Sequence, residues 1–250
     1  MRERVAIVTG AGGGFGKGIA AVLAARGAKV VVADIREGAA NDVADEIVRS
    51  GGQATAVAVD VTLGQSVKAM VECARNAYGG LDILVNNAGT THKNQHMLDV
   101  GENEFDRVYA VNVKSIYLAT IHAVPELRKS KSGVIVNIAS AAGVRPRPGL
   151  TWYAGSKAAA ISITRSMALE LAPDRIRVCA VNPVMGETGL IGEFLPGEDT
   201  AETRTKVLAG IPLGRFATPT DIANAVAFLA SEQASMITGV ALVVDGGRCV

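Results

Sequence analysis

The chain predicts a doubly wound α/β fold, a seven-stranded, mainly parallel sheet with helices on both faces. Two observations carry that expectation. Seven short, β-branched, near-continuously apolar runs alternate with longer amphipathic or alanine-rich stretches. Strands apolar on both faces belong in a parallel sheet that is covered on each side. Hydrophobic residues make up 49% of the chain but aromatics only 4%. That favours thin, close-packed layers of helix and strand over an aromatic-rich β-sandwich.

The strand runs fall at 5–9, 29–33, 54–59, 83–85, 134–138, 176–181 and 240–244. Helices are expected at roughly 15–26, 38–50, 64–78, 103–128, 153–171 and 219–230. Thr218-Pro219-Thr220-Asp221 places cap candidates and a proline at a helix start, while Gly51-Gly52 and Gly79-Gly80 stop helices. The alternation implies right-handed crossovers. No linker, repeat or low-complexity tract interrupts it, so residues 1–250 read as one domain. Residues 184–217 break the rhythm with Gly186, Gly189, Gly192, Gly197, Gly210 and Gly214. So long a connection reads as a substrate loop or lid. A disordered excursion fits less well with Leu190, Ile191, Phe194 and Leu195.

The net charge is +1 and no cluster of five or more Lys/Arg occurs, which argues against nucleic acid or an anionic membrane as partner. Cys73, Cys179 and Cys249 are scattered and form no CxxC. Reduced thiols in a cytosol-like compartment are expected, with Cys73 and Cys179 in the core. His92, His96 and His122 lack metal-triad spacing and read as surface residues, and no metal is expected. The chain shows no signal peptide and no 18-residue apolar span, so a soluble cytoplasmic protein is expected.

Thr9-Gly10-Ala11-Gly12-Gly13-Gly14-Phe15-Gly16 follows the first strand and opens the first helix. Glycines let the backbone turn sharply and approach a pyrophosphate, and the helix N-terminus offers N–H donors. GxGxxG does not fit, because Phe15 stands at its third glycine, but Gly10-x-x-x-Gly14-x-Gly16 fits a wider-turn variant. Asp34 ends the second strand eighteen residues after Gly16, with Ile35 beside it. An acid there can accept from adenosine ribose hydroxyls and would repel a 2′-phosphate, favouring NAD over NADP. Arg36 lies two residues beyond the acid. The plainer reading is that Asp34 caps a turn.

Tyr153 and Lys157 are one helical turn apart, and Ser140 ends an apolar run thirteen residues upstream of the tyrosine. An ammonium beside a phenol favours the phenolate and makes a tyrosine usable as an acid/base near neutral pH. With the glycine loop, this suggests proton transfer coupled to hydride transfer. Taken singly, the residues have plainer readings: Ser140 as a cap, Tyr153 as packing, Lys157 as surface. Asn112 lies in apolar Val111-Asn112-Val113, which leans toward a buried functional amide.

With these motifs the chain resembles the short-chain dehydrogenase/reductase family over essentially its whole length. The matching elements are Thr9-Gly-x-x-x-Gly-x-Gly16, Asp60-Val61, Asn86-Asn87-Ala88-Gly89, Asn112, Ser140, Tyr153-x-x-x-Lys157 and Asn182-Pro183. The resemblance implies a Rossmann-type sheet. It implies adenine contacts from Asp60 and Val61, and an adenosine ribose lined by Asn86, Asn87, Ala88 and Gly89. It implies Ser140 on the substrate oxygen and Tyr153 exchanging the proton. Lys157 would bind the nicotinamide ribose, Asn112 would hold a water leading to Lys157, and Pro183 and Thr188 would meet the nicotinamide end. Pro183-Val184 departs from the family's usual Pro-Gly.

The expected activity is NAD(H)-dependent interconversion of a secondary alcohol and a ketone. A 3-oxoacyl-carrier-protein reductase is the nearest alternative, for which Lys129, Lys131 and Arg175 could dock an acidic carrier. A non-catalytic dinucleotide sensor or scaffold would be expected to lose Tyr153, Lys157 or Ser140, and all three are present. Small residues along the Tyr153 helix, with the resemblance, imply a homo-oligomer, a 222-symmetric homotetramer first. Arg145 and Arg147 between Ser140 and Tyr153 could recognise a carboxylate or phosphate, or be solvated loop charges. Trp152 could stack on a substrate ring or simply pack.

Overall fold

The computed structural model describes residues 1–130 and 132–250. Its strands are β1 (Val5–Thr9), β2 (Lys29–Asp34), β3 (Gln53–Ala58), β4 (Ile83–Asn86), β5 (Val134–Ile138), β6 (Arg177–Pro183) and β7 (Ala241–Val244). They form one sheet in the order β3-β2-β1-β4-β5-β6-β7, and every pairing is parallel.

Alternation along each strand divides the core. Ala6 and Val8 of β1 face helices α1 (Gly14–Ala25), α2 (Glu37–Arg49) and α9 (Pro219–Leu229). Val5 and Ile7 face α3 (Gly64–Tyr78) and α5 (Ser115–Leu127). Helix α6 (Thr151–Leu171) packs beside β6. Successive side chains point to opposite faces, so a run apolar throughout is buried on both. Helix α9 starts where the sequence signalled: Thr218 Oγ1 accepts the Asp221 N–H at 3.2 Å, and the Asp221 carboxylate accepts the Thr218 N–H at 2.8 Å.

Two departures bear on the site. The helix expected at 103–128 is α4 (Glu102–Tyr109), a π-helical turn Ala110–Lys114, and then α5. Asn112 sits inside that turn. A π-turn inserts one residue and re-aims the side chains around it, which a 3.6-residue period cannot reveal. The excursion at 184–217 holds α7 (Ile191–Phe194) and α8 (Ala201–Leu208). It is closed at its base by a parallel bridge between Gly186 and Ala217.

The chain leaves β1 for β2 and β3, then returns to β4 on the other side of β1. A crevice opens at the carboxyl ends of strands where the order reverses in this way. The glycine loop after β1 and the Asn86–Gly89 turn after β4 meet there. A Cβ on Gly10 would stand 2.9 Å from Ala88 Cα.

Candidate active site

A cleft of about 1110 Å³ runs along this crevice. Gly10, Gly14, Phe15, Asp34, Ile35, Asp60, Val61, Asn87, Ala88, Gly89, Ser140, Tyr153, Lys157, Pro183 and Thr188 all line it. Gly16 and Asn112 stand behind its wall.

At one end the glycine loop is built for close approach. Gly10 and Gly14 have φ of +62° and +53°, which glycine adopts at little cost. A Cβ on Gly16 would lie 2.2 Å from the Gly10 carbonyl oxygen. The first turn of α1 has neither a side-chain cap nor an acidic residue, so its free N–H groups and positive dipole end suit a phosphate. Thr9 Oγ1 accepts the N–H groups of Asn87 and Ala88, each at 3.0 Å. The Asn87 amide donates to Thr9 O at 2.8 Å and Gly10 O at 3.1 Å. These bonds fasten the β1 and β4 turns to each other. Asp34 is 6% exposed, with one carboxylate oxygen accepting the Gly12 N–H at 2.9 Å and the other the Arg36 N–H at 3.0 Å. The turn-bracing role is therefore real, and spare lone pairs remain for a ribose diol. Asp60 Oδ1 accepts the Thr62 N–H and hydroxyl at 2.9 and 2.7 Å.

At the other end Ser140, Tyr153 and Lys157 converge, each buried. Ser140 stands two residues past the end of β5 and caps a short turn, its Oγ accepting the Ala142 N–H at 3.1 Å. A Cβ on Gly143 would come within 2.8 Å of the backbone at Lys157 and Ala158. Glycine there lets the Ser140 turn rest directly on α6. Lys157 Nζ donates to Ile138 O at 2.9 Å and lies 5.9 Å from the Tyr153 ring centre. Asn112 Oδ1 accepts the Thr90 N–H, and its amide donates to Thr90 O and Ser156 Oγ, all at 2.9 Å.

Burial moves the phenol and the amine in opposite directions. It pushes Tyr153 up to about 12, against the Ser140 hydroxyl and the Arg147 guanidinium, which pull it down. It alone pushes Lys157 down to about 8. The expectation that Lys157 lowers the phenol is not met. The amine is tied to Ile138 O and is not among the groups that pull the phenol down, and desolvation sets the direction at the ring.

A consequence for stability follows. A lysine whose value falls on folding gives up its proton between about 8 and its ordinary 10.5. The unfolded chain then binds more protons, so stability rises with pH across that window. The unfolding free energy of the native protein minus that of Lys157→Met should climb by ~1–2 kcal/mol between pH 7.5 and 9.5, measured in urea. Tyr153 acts with the opposite sign only above its ordinary 10.0. A flat difference would mean folding does not neutralise Lys157.

Other positions are corrected. His92 is fully buried rather than at the surface, with Nδ1 2.8 Å from Lys93 O and, among the described residues, no hydrogen-bond partner for Nε2. His96 is exposed and His122 partly so. Cys73 is half-buried while Cys179 is in the core. Trp152 does not line the cleft; it meets Phe105 edge-on at 5.5 Å and donates to Met97 O at 3.0 Å. Among residues 90–97, Thr90 alone lines the cleft. Met185, Phe194, Ile211, Arg107 and Arg248 line it without a motif to mark them. Lys131 lies outside the described residues, and Lys129 pairs with Glu126 at 2.8 Å. Among the described residues no helix is long and apolar enough to cross a membrane.

A phosphate-ready glycine loop joined to a buried Ser-Tyr-Lys cluster defines a nicotinamide dinucleotide-dependent oxidoreductase. A family profile described as Enoyl-(Acyl carrier protein) reductase matches residues 10–248. The chain is 51% identical over 248 residues to 4-formylbenzenesulfonate dehydrogenase of Comamonas testosteroni, covering 99% of this chain and 98% of the relative. It is 41% identical over 244 residues to 7alpha-hydroxysteroid dehydrogenase of Escherichia coli K12, covering 98% and 93%. The crystal structure of 3-ketoacyl-(acyl-carrier-protein) reductase from Brucella melitensis complexed with NADH superposes with a TM-score of 0.93 at 47% identity, covering 100% and 99%. The chain belongs to the short-chain dehydrogenase/reductase family.

Proposed function

We propose that residues 1–250 act as one catalytic domain that interconverts a secondary alcohol and a ketone, preferring NAD(H) over NADP(H). The observation that carries this reading is the meeting of Ser140, Tyr153 and Lys157 in the cleft that the glycine loop opens. The dinucleotide's pyrophosphate would lie on the α1 N-terminus, its adenosine ribose on Asp34 and its adenine between Ile35, Asp60 and Val61. Its nicotinamide end would rest near Pro183 and Thr188, and when bound it supplies the hydride donor or acceptor. Tyr153 moves the proton at the substrate oxygen, and Ser140 holds that oxygen as its charge changes. Lys157 meets the ribose, and Asn112, with one Oδ1 lone pair to spare, serves a water beside it. The three named relatives are titled for a formyl compound, a hydroxysteroid and a ketoacyl-(acyl-carrier-protein). Their shared element, a carbinol or carbonyl, supports the reading.

The Brucella relative's title favours a second reading, 3-oxoacyl-carrier-protein reduction. Since that relative carries NADH, the dinucleotide does not separate the two. Acetoacetyl thioester against a panel of alcohols, sugars and ketones, read by NADH absorbance, does. NADH binding with no turnover on either would point to a sensor or scaffold. Exposed Tyr117 and Ile121 on α5 and Leu169 on α6 support burial of this side against further copies, and we read the protein as a cytoplasmic homotetramer.

Asp34→Asn tests the cofactor preference. Asparagine keeps an acceptor for the Gly12 N–H but removes the charge that repels a 2′-phosphate. The NAD to NADP ratio of kcat/KM should fall about tenfold, the equivalent of ~1.4 kcal/mol. An unaltered ratio would rule out charge repulsion as its source.

A further inference from the structure

Arg145, Arg147 and Arg248 all line the cleft, and Arg147 lies close enough for its charge to act on Tyr153. Among the described residues none of them forms an ion pair with a carboxylate. Their positions differ. Arg145 is committed to the chain's end, donating to Arg248 O at 2.8 Å and Val250 O at 3.1 Å. It thereby fixes the backbone from which Arg248 reaches the cleft. Arg147 is partly buried and spends one Nη2 proton on Phe194 O at 2.6 Å. Its Nε and Nη1 make no hydrogen bond within the described residues. Burial and then the nearby Arg248 charge depress Arg147 below its ordinary value.

Two neighbouring cations in a half-buried, apolar-walled pocket are costly without a counter-charge. The same place is adjacent to the chemistry. Phe194, which accepts from Arg147, also packs edge-on against the Tyr153 ring with centroids 5.1 Å apart. Leu150 and Ile211 add apolar wall. A molecule seated here would meet a planar cationic fork at one end, apolar surface along its body, and the Tyr153 hydroxyl at the other end.

We propose that the substrate carries a carboxylate or sulfonate on a compact apolar body, and that Arg147 with Arg248 anchors that anion while the carbonyl or carbinol faces Tyr153. This rests on the alcohol–ketone reading above and narrows it to an anionic substrate class. Guanidinium forks match two oxygens of either anion. Anchoring one end orients the other for hydride transfer. A neutral isostere leaves the guanidiniums unpaired, and sites built on buried polar partners reject such analogues strongly.

The test uses 4-acetylbenzoate, 4-acetylbenzenesulfonate and the near-isosteric 4-acetylbenzamide as ketone substrates with NADH. The native enzyme should favour one or both anions over the amide in kcat/KM by ~10²-fold or more. Arg147→Met should bring that ratio to within a few-fold of unity. Arg248→Met, which removes a side chain that makes no hydrogen bond among the described residues, should lower it ~3- to 10-fold and guards against a folding defect at Arg147. If Arg147 merely holds Phe194 in place, its loss would weaken anions and amide alike and leave the ratio unmoved, which would overturn the proposal. So would a native ratio near unity.

A binding readout separates this from failure of the activity itself. Benzoate and benzenesulfonate, titrated by calorimetry into the NADH-loaded protein, should bind more tightly than benzamide. Salt should weaken that binding, and Arg147→Met should lose at least ~10-fold. Arg147-dependent anion binding without turnover of any ketone would support the anchor and sink the oxidoreductase reading. Turnover of all three ketones at one rate would do the reverse.

Discussion

Replacing Tyr153 with phenylalanine is expected to cut kcat by ~10²- to 10⁴-fold, the usual contribution of a positioned acid or base. The change removes one hydroxyl and keeps the ring that packs against Phe194 at 5.1 Å. The phenol is buried and pushed up to about 12, so it holds its proton through the neutral range and is matched to donating during ketone reduction. In the oxidative direction it must lose that proton, which its burial opposes. The pH dependence should therefore differ by direction, with reduction flat near neutrality and oxidation rising toward alkaline pH. NADH affinity, measured by fluorescence titration, should stay within a few-fold. Full turnover in the phenylalanine variant would end the acid/base assignment; loss of NADH binding would show that the ring's environment, not its proton, had been disturbed.

Gly16→Ala is expected to damage dinucleotide binding and stability together. A Cβ there would sit 2.2 Å from Gly10 O, 2.5 Å from the Asn87 amide nitrogen and 2.8 Å from the Gly10 carbonyl carbon. Two of those atoms are backbone, and Gly10 O is also the acceptor for Asn87 at 3.1 Å. Helix α1 would have to withdraw from the loop, taking its N–H groups away from the phosphate position. Overpacking of this kind costs ~1–3 kcal/mol, or roughly 2 to 10 °C in Tm for a chain of this size, and NADH affinity should fall at least ~10-fold. Gly13→Ala is the contrast: its φ of −178° is open to any residue, and the nearest atom to a new Cβ is the flexible Arg36 Nη2 at 3.6 Å. Its Tm should move by no more than about 1 °C. Equal damage from both alanines would mean the loop is not held by the Gly16 contact.

Much of this was legible in the linear chain because local chemistry specified it. Runs such as Val30-Val31-Val32 announce a strand buried on both faces, and Thr218 to Asp221 announces a helix start. The glycine loop, Asp34, Ser140, Tyr153 and Lys157 stand out through residue types that no simple turn or packing role needs in that combination. The π-turn around Asn112 was not legible, because one extra residue in a helix leaves the apolar pattern almost unchanged. Nor was the burial of His92 in a stretch that reads as polar loop.

The sequence by itself determined the sheet and the glycine loop, since each depends on residues within one turn or strand of one another, and it marked Ser140, Tyr153 and Lys157 as a candidate cluster. Only the tertiary structure decided what surrounds that cluster. It brought Arg248 from the chain's end and Phe194 from the excursion against Arg147 and Tyr153. It also enclosed Tyr153 so that burial pushes the phenol up. Both outcomes depend on desolvation and on distances between segments far apart in the chain, and these exist only once the layers have closed.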